Sequence, residues 1–230
     1  MSSGWSKSTV VENHFLAPGL HRVTLDVPQK ISKAFHTPGQ YHRVRVTEGD
    51  EAFFAIASEP HAARFDYLVK ESNGVAGEWL RLKPGAHVEV GMPEGPGFPL
   101  ERAKGHPLLL VGTGTGWGPL WSVVKTLRPR RAEFGEVHAL YGVDSEAQLG
   151  WRDQWPVLAK EGVEIHAVLD RADPKWQGRT GRVQHHVAPL ARPGMLAFLC
   201  GHPAMVSDVT AILGEKGVPA DRVFLNVPSL

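Results

Sequence analysis

The apolar run PLLLVG (107–112) passes without a polar break into Thr113-Gly114-Thr115-Gly116-Trp117-Gly118-Pro119, and no other stretch constrains the chain as much. A continuous apolar hexapeptide suits a parallel strand buried on both faces. A glycine turn that leads straight into a helix brings backbone N–H groups close to a pyrophosphate, and the helix dipole adds favourable potential. The glycines follow G-x-G-x-G-x-G and depart from the G-x-G-x-x-G dinucleotide fingerprint. The same string therefore also suits a tight turn with close helix–strand packing and no ligand.

The residues that follow keep a strand, turn, helix rhythm. Helical patterns cover 117–128, 148–161 and 203–216, and strand patterns cover VHALYG (137–142), VEIHAVL (163–169) and MLAFLC (195–200). This alternation predicts a C-terminal α/β domain with a doubly wound parallel sheet. Upstream the rhythm differs. Runs rich in β-branched residues at 8–15, 20–27, 41–47, 53–58, 65–70 and 87–92 are separated by Gly/Pro turns and predict an N-terminal antiparallel β-barrel. One helix-like segment, AGEWLRL (76–82), interrupts them. The Pro/Gly-dense segment 92–107 marks the junction, which gives domains 1–103 and 104–230. The cluster Arg128, Pro129, Arg130, Arg131 is expected to cap the end of the 117–128 helix.

Composition narrows the function classes. With 25 Lys plus Arg against 24 Asp plus Glu, the net charge is +1 and no basic field gathers nucleic acid. The single cysteine, Cys200, cannot supply an intramolecular disulfide, a four-thiolate zinc site or a cysteine-ligated cluster. Redox chemistry therefore requires a bound organic cofactor. Of twelve histidines, His185 and His186 are adjacent and project differently on a helix; no H-E-x-x-H or Cys/His zinc spacing occurs, so no metal site is expected. Serine-hydrolase elbows and P-loops are absent from the sequence as well. The N-terminal segment lacks a basic and then apolar leader, and no stretch reaches the roughly 18 apolar residues of a membrane span. The expectation is a cytoplasmic protein.

In a doubly wound sheet, ligands gather at the C-terminal ends of strands. Two further segments fall there: Tyr141, Gly142 and the acids Asp144 and Glu146, then Cys200-Gly201-His202-Pro203-Ala204-Met205. A ribose 2′-phosphate needs a cationic partner, so the two acids favour NADH over NADPH. Arg152, Arg171 and Lys175 are the cations near enough in sequence to alter that preference.

The ordered set PGQY (38–41), IAS (56–58), GTGTGWGP (112–119), YG (141–142) and CGHPAM (200–205) resembles the ferredoxin–NADP reductase superfamily over nearly the whole chain. The resemblance implies a flavin-binding barrel ahead of a NAD(P)-binding domain. It also implies hydride transfer between a nicotinamide cofactor and FAD, with electrons passed on to a separate acceptor, a protein or a small molecule. It places Gly112, Thr113, Gly114, Thr115 and Gly116 on the nicotinamide cofactor's pyrophosphate, with Tyr141 and Gly142 beside it. Cys200, as the catalytic position, and Gly201 face the nicotinamide, and Pro203 and Met205 shape the next helix. The flavin falls to Phe54, Ala55, Ile56, Ala57 and Ser58, to Val69 and Lys70, and to Gly74, Val75, Ala76 and Gly77.

Departures from the family pattern concentrate on the flavin side. Arg-x-Tyr-Ser/Thr reads Ala52-Phe53-Phe54-Ala55, so the arginine for the FAD pyrophosphate and the hydroxyl for the flavin ring are missing, while Phe54 keeps an aromatic face. Gly-x-x-Ser/Thr reads Gly74-Val75-Ala76-Gly77 and loses a second hydroxyl. A charge-assisted phosphate contact contributes roughly 1.5–3 kcal/mol, so losing one weakens binding by about one to two decades. Arg64, Lys70 and Arg81 are the candidates to replace the cation. The family's terminal aromatic residue aligns with Val227. Together with Trp176-x-Gly178-x-x-Gly181-x-Val183-Gln184, the altered motifs look like a branch of the superfamily found in bacteria and plastids. The alternative is a reductase-like interaction or regulatory subunit with lost or weak flavin binding.

Overall fold

The computed structural model describes residues 4–46 and 49–226, and Val227 lies outside them. The first half forms a six-stranded antiparallel sheet from β1 (Ser6–Ala17), β2 (Leu20–Asp26), β3 (Tyr41–Arg45), β4 (Ala52–Ala55), β5 (Arg64–Lys70) and β6 (His87–Val90). Its order is β4-β3-β6-β1-β2-β5. Gly19, at φ +69°, supplies the left-handed residue that turns β1 into β2. Alternating residues such as Val23 and Leu25, Phe65, Tyr67 and Val69, and Val88 and Val90 bury into one cluster with Trp79. Just past β4, the Ala57 N–H donates to the Asp66 carbonyl at 2.8 Å, so the two sheet edges meet and the sheet curls into a barrel.

Two short helices accompany the barrel, α1 (Gln29–Ala34) and α2 (Val75–Leu80). The second matches the helix expected near 76–82. The first carries no long periodic stripe and is held by burial of Ile31 and of Phe35, the residue that ends it.

A 3₁₀ turn (Leu100–Ala103) leads into the second sheet, built from β7 (Leu108–Thr113), β8 (Val137–Val143), β9 (Val163–Leu169), β10 (Arg179–Thr180), β11 (Leu196–Cys200) and β12 (Val223–Leu225). All its pairings are parallel, in the order β10-β9-β8-β7-β11-β12. Helices α3 (Trp117–Leu127), α4 (Trp155–Lys160) and α5 (Pro203–Glu215) pack against it. The strand order reverses at β7, which lies between β8 and β11, and the crevice of such a sheet opens at this switch point.

Two local expectations are corrected. The helix predicted over 148–161 is broken into 3₁₀ turns and α4, because Trp151 adopts φ +54°. Its buried ring stacks on Trp121 with centroids 5.2 Å apart, so burial of a large indole overrides helix continuity. The arginines of 128–131 do not simply cap α3. They sit in a 3₁₀ turn and bridge to other segments: Arg128 to Glu161, Arg130 to Glu101 and Glu133, and Arg131 to the Gly162 and Phe134 carbonyls.

The two sheets share packing. One core cluster takes Ala17, Leu20, Ala57 and Leu68 from the barrel side and Trp117, Leu120 and Trp121 from α3. Phe98 stacks on Phe198 at 4.9 Å, the Ser122 hydroxyl donates to the Ser58 carbonyl at 2.5 Å, and Lys125 pairs with Glu59 and Asp66.

Candidate functional site

A cleft of about 950 Å³ lies between the barrel face of β4 and β5 and the C-terminal ends of β7, β8 and β11. On the sheet side, β7 runs into a 3₁₀ turn (Gly114–Gly116) and then α3, and no side chain caps either. The glycines of this turn do different work. Gly114 sits at φ +54°, and a Cβ added there meets nothing within 4 Å, so its backbone faces open cleft. A Cβ on Gly112 would lie 2.7 Å from Leu120 Cδ1. One on Gly116 would overlap the Cys200 carbonyl and lie 2.8 Å from Gly201 N. Both readings of the turn hold at once: Gly112 and Gly116 allow close packing, and Gly114 presents main chain to the cleft.

Neighbouring strand ends lock onto this turn. Gly201, at φ +149°, has no room for a Cβ beside Thr113 Oγ1, which accepts a hydrogen bond from the His202 N–H at 3.1 Å. Gly142 approaches Val183 so closely that a Cβ would come within 2.6 Å of it. Cys200 lines the cleft, and burial pushes its thiol up to about 12. It is a neutral thiol at physiological pH, without the thiolate that nucleophilic chemistry needs.

Of the expected nucleotide residues, Thr113, Gly114, Thr115, Gly116, Gly142, Cys200, Gly201 and Met205 line the cleft. Gly112 stands behind the turn, and Pro203 is an exposed residue of the first turn of α5. Tyr141 is a core residue: it stacks on Trp117 at 4.7 Å and donates its hydroxyl to the Gln148 carbonyl. On the barrel side, Phe54, Ala55, Val69, Lys70 and Ala76 line the cleft. Ile56, Ala57 and Ser58 are fully buried behind them, and the Ser58 hydroxyl is spent on the Arg64 carbonyl and the Asp66 N–H. Val75 and Gly77 are buried within α2, and Gly74 borders an adjoining groove.

The chain is 37% identical over 185 residues to ferredoxin–NADP reductase B of Sorangium cellulosum, a match covering 74% of this chain and 75% of that one. The chain belongs to the ferredoxin–NADP reductase family. The oxidoreductase NAD-binding domain matches residues 110–211. A fruit protein of Actinidia deliciosa is 28% identical over 91% of this chain and 72% of its own length. A ferredoxin NADP+ reductase of Neisseria gonorrhoeae, solved with FAD and NADP bound, superposes with a TM-score of 0.86 over 99% of this chain and all of that one; at 17% identity this is a likeness of fold.

Within this reductase the altered flavin motif has a structural cause. A Cβ on Gly77 would stand 2.6 Å from the Ser72 carbonyl, so the loop before α2 closes over the position where the family pattern carries a hydroxyl. The missing hydroxyl and the loop path go together. The candidate cations separate as well. Arg64 faces Asp26 at the far end of β5. Lys70 lines the cleft, Arg81 lines the adjoining groove with Ser72 and Gly74, and neither has an ion-pair partner among the described residues.

Sequence reading missed Arg182 and Gln184, which reach the cleft from the segment after β10. The signal was present in the string from Trp176 to Gln184, which was read only for its resemblance; Gly181 within it, at φ +85°, makes the turn that delivers both residues. The acids that favoured NADH are both neutralised: Asp144 accepts from Arg171 at 2.9 Å, and Glu146 from Arg152. With Arg182 in the same cleft, the charge argument for NADH over NADPH loses its basis.

Proposed function

We propose that this reductase takes electrons from a nicotinamide cofactor through a barrel-bound FAD and passes them to a separate acceptor. The observation that carries this reading is the single cleft in which the main chain of Gly114 to Gly116 faces the β4–β5 wall. The residues present fit both groups. The uncapped turn offers main-chain N–H donors and an open cradle at Gly114 for a pyrophosphate, and Lys70, without an ion-pair partner among the described residues, stands on the opposite wall for the flavin's phosphates.

When bound, FAD supplies a two-electron acceptor that releases electrons singly or in pairs. The chain's own part is positioning. Gly201 and the neutral Cys200 form a flat wall for the nicotinamide, and Phe53 and Phe54 give the flavin an aromatic border. Hydride transfer requires reacting atoms held about 3–3.5 Å apart with water excluded, and no side-chain acid or base. The protonated Cys200 thiol therefore acts through shape. With one cysteine, these 230 residues do not themselves supply the thiolates of a four-cysteine cluster.

Freshly purified protein is expected to absorb between 350 and 500 nm and to bleach with NADH or NADPH under anaerobic conditions. Protein that stays colourless after incubation with excess FAD and FMN would overturn the reading in favour of an interaction subunit. In the same assay, Lys70→Ala is expected to loosen FAD about ten- to a hundredfold, the cost of one charge-assisted phosphate contact. Ala52→Arg, which adds a cation in the same cleft, is expected to tighten it; unchanged affinity in both variants would remove phosphate binding from this wall.

A further inference from the structure

Away from the cofactor cleft, strand register gathers two histidines that the sequence keeps 28 positions apart. Parallel pairing of β8 and β9 sets His138 against Glu164 and Leu140 against His166. Because side chains alternate along a strand, His138, Glu164 and His166 share the sheet face that also carries Leu140 and Val168. His138 Nδ1 lies 3.4 Å from a Glu164 carboxylate oxygen, and His166 Nε2 lies 3.7 Å from the same oxygen. The three ligand atoms are all within 4.8 Å of one another. The imidazoles stack with centroids 5.9 Å apart.

Both of these ring nitrogens are buried, and neither makes a hydrogen bond. Folded proteins rarely leave buried polar atoms without a partner, and two such nitrogens within 3.7 Å of one carboxylate oxygen form a donor set suited to a cation. We propose that His138, His166 and Glu164 bind a divalent zinc ion. Bonds of about 2.0–2.2 Å to nitrogen and oxygen in a tetrahedron hold neighbouring donors roughly 3.3 Å apart, close to the two nitrogen–oxygen spacings of 3.4 and 3.7 Å. Three protein ligands leave the fourth position to water. Glu136 completes the arrangement: its carboxylate is 3.6 Å from the other nitrogen of His138 and is itself held by Arg192. A carboxylate behind a ligating imidazole fixes the ring and raises its basicity. Among opposing charges, Arg179 acts on His166 from β10, and Arg192 stands behind Glu136.

His138 precedes Gly142 by four strand residues, about 13 Å at the usual rise, so the ion stands well away from hydride transfer and pins β8 to β9. Metal-free protein titrated with ZnCl₂ by calorimetry is expected to bind one equivalent with a dissociation constant near or below about 10 µM, and to melt at higher temperature with zinc than without. His138→Ala and Glu164→Gln are each expected to weaken binding at least tenfold, with the near-ultraviolet circular dichroism of the buried tryptophans unchanged. Glu164 is more than half exposed, so its variant keeps the fold even where His138→Ala does not. No saturable site in the parent, or equal affinity in parent and Glu164→Gln, would overturn the proposal and move zinc to histidines elsewhere.

Discussion

Replacing Gly116 with alanine is expected to raise the dissociation constant for NAD(P)H at least about a hundredfold while leaving flavin content unchanged. The backbone at Gly116 is already helical, with φ −61° and ψ −11°, so alanine brings no conformational penalty of its own. The whole effect is steric: the new methyl occupies the space of the Cys200 carbonyl and the Gly201 N–H, main-chain atoms that cannot rotate away. Relief requires the turn to move off β11, which separates the phosphate-binding main chain from the nicotinamide wall. Gly114→Ala probes the cradle itself. Its φ of +54° costs an alanine about 1–2 kcal/mol and its added carbon meets no protein atom within 4 Å, so it enters the open cleft and is expected to weaken binding without moving the turn off β11. Rapid-mixing measurement of flavin reduction against cofactor concentration separates the two, with visible absorbance reporting the flavin. Equal affinity in Gly116→Ala and the parent would remove the turn from the site.

Acid is expected to destabilise the fold chiefly through one barrel residue. His42 is fully buried on β3, stacks against Tyr67 and shares a 2.8 Å hydrogen bond with its hydroxyl. Burial pushes its imidazole down to about 3, far below its ordinary 6.5. The folded chain keeps this ring neutral while the unfolded chain protonates it, so the unfolded state binds more protons between the two values. The contribution is fully present above about pH 6.5 and is lost progressively as pH falls toward 3. At about 1.4 kcal/mol per pH unit this is on the order of 4 kcal/mol across the window, or roughly 10 °C in Tm. His21 and His166 are also lowered by burial and act with the same sign. Thermal melts between pH 7 and 5, above the range where carboxylates protonate, isolate the histidines. His42→Gln, which keeps a partner for Tyr67, is expected to flatten that slope; a slope as steep as the parent's would reassign the effect.

The sequence revealed what repeats. Period-two runs located the barrel strands, and the apolar hexapeptide before GTGTGWGP located β7 and the turn that faces the cleft. Departures from the family motif at Ala52, Ala55 and Gly77 were also legible as missing groups. The replacement cation proposed above was not, because choosing among Arg64, Lys70 and Arg81 depends on where side chains point, and that follows from strand register and from an ion pair to Asp26. Trp151 was hidden for a related reason: its neighbours fit a helix, and only the ring of Trp121, thirty residues away, makes the left-handed turn worthwhile. His138 and His166 looked like scattered histidines because ligand spacing across two parallel strands is set by pairing and leaves no fixed interval in the chain.

The packing shared by barrel and sheet bears on how turnover is limited. Enzymes that close around a substrate do so by swinging one wall about a hinge, and they open again at a rate set by that hinge. Here the two walls are joined beneath the cleft by the Phe98–Phe198 stack, the Ser122–Ser58 hydrogen bond and the double bridge from Lys125, so the aperture has a fixed gauge. On the reading proposed above, spent nicotinamide is expected to leave by its own dissociation past the rim, where Phe53 is 62% exposed. Product affinity, and not a domain swing, is then the quantity expected to pace release, which stopped-flow release compared with turnover checks.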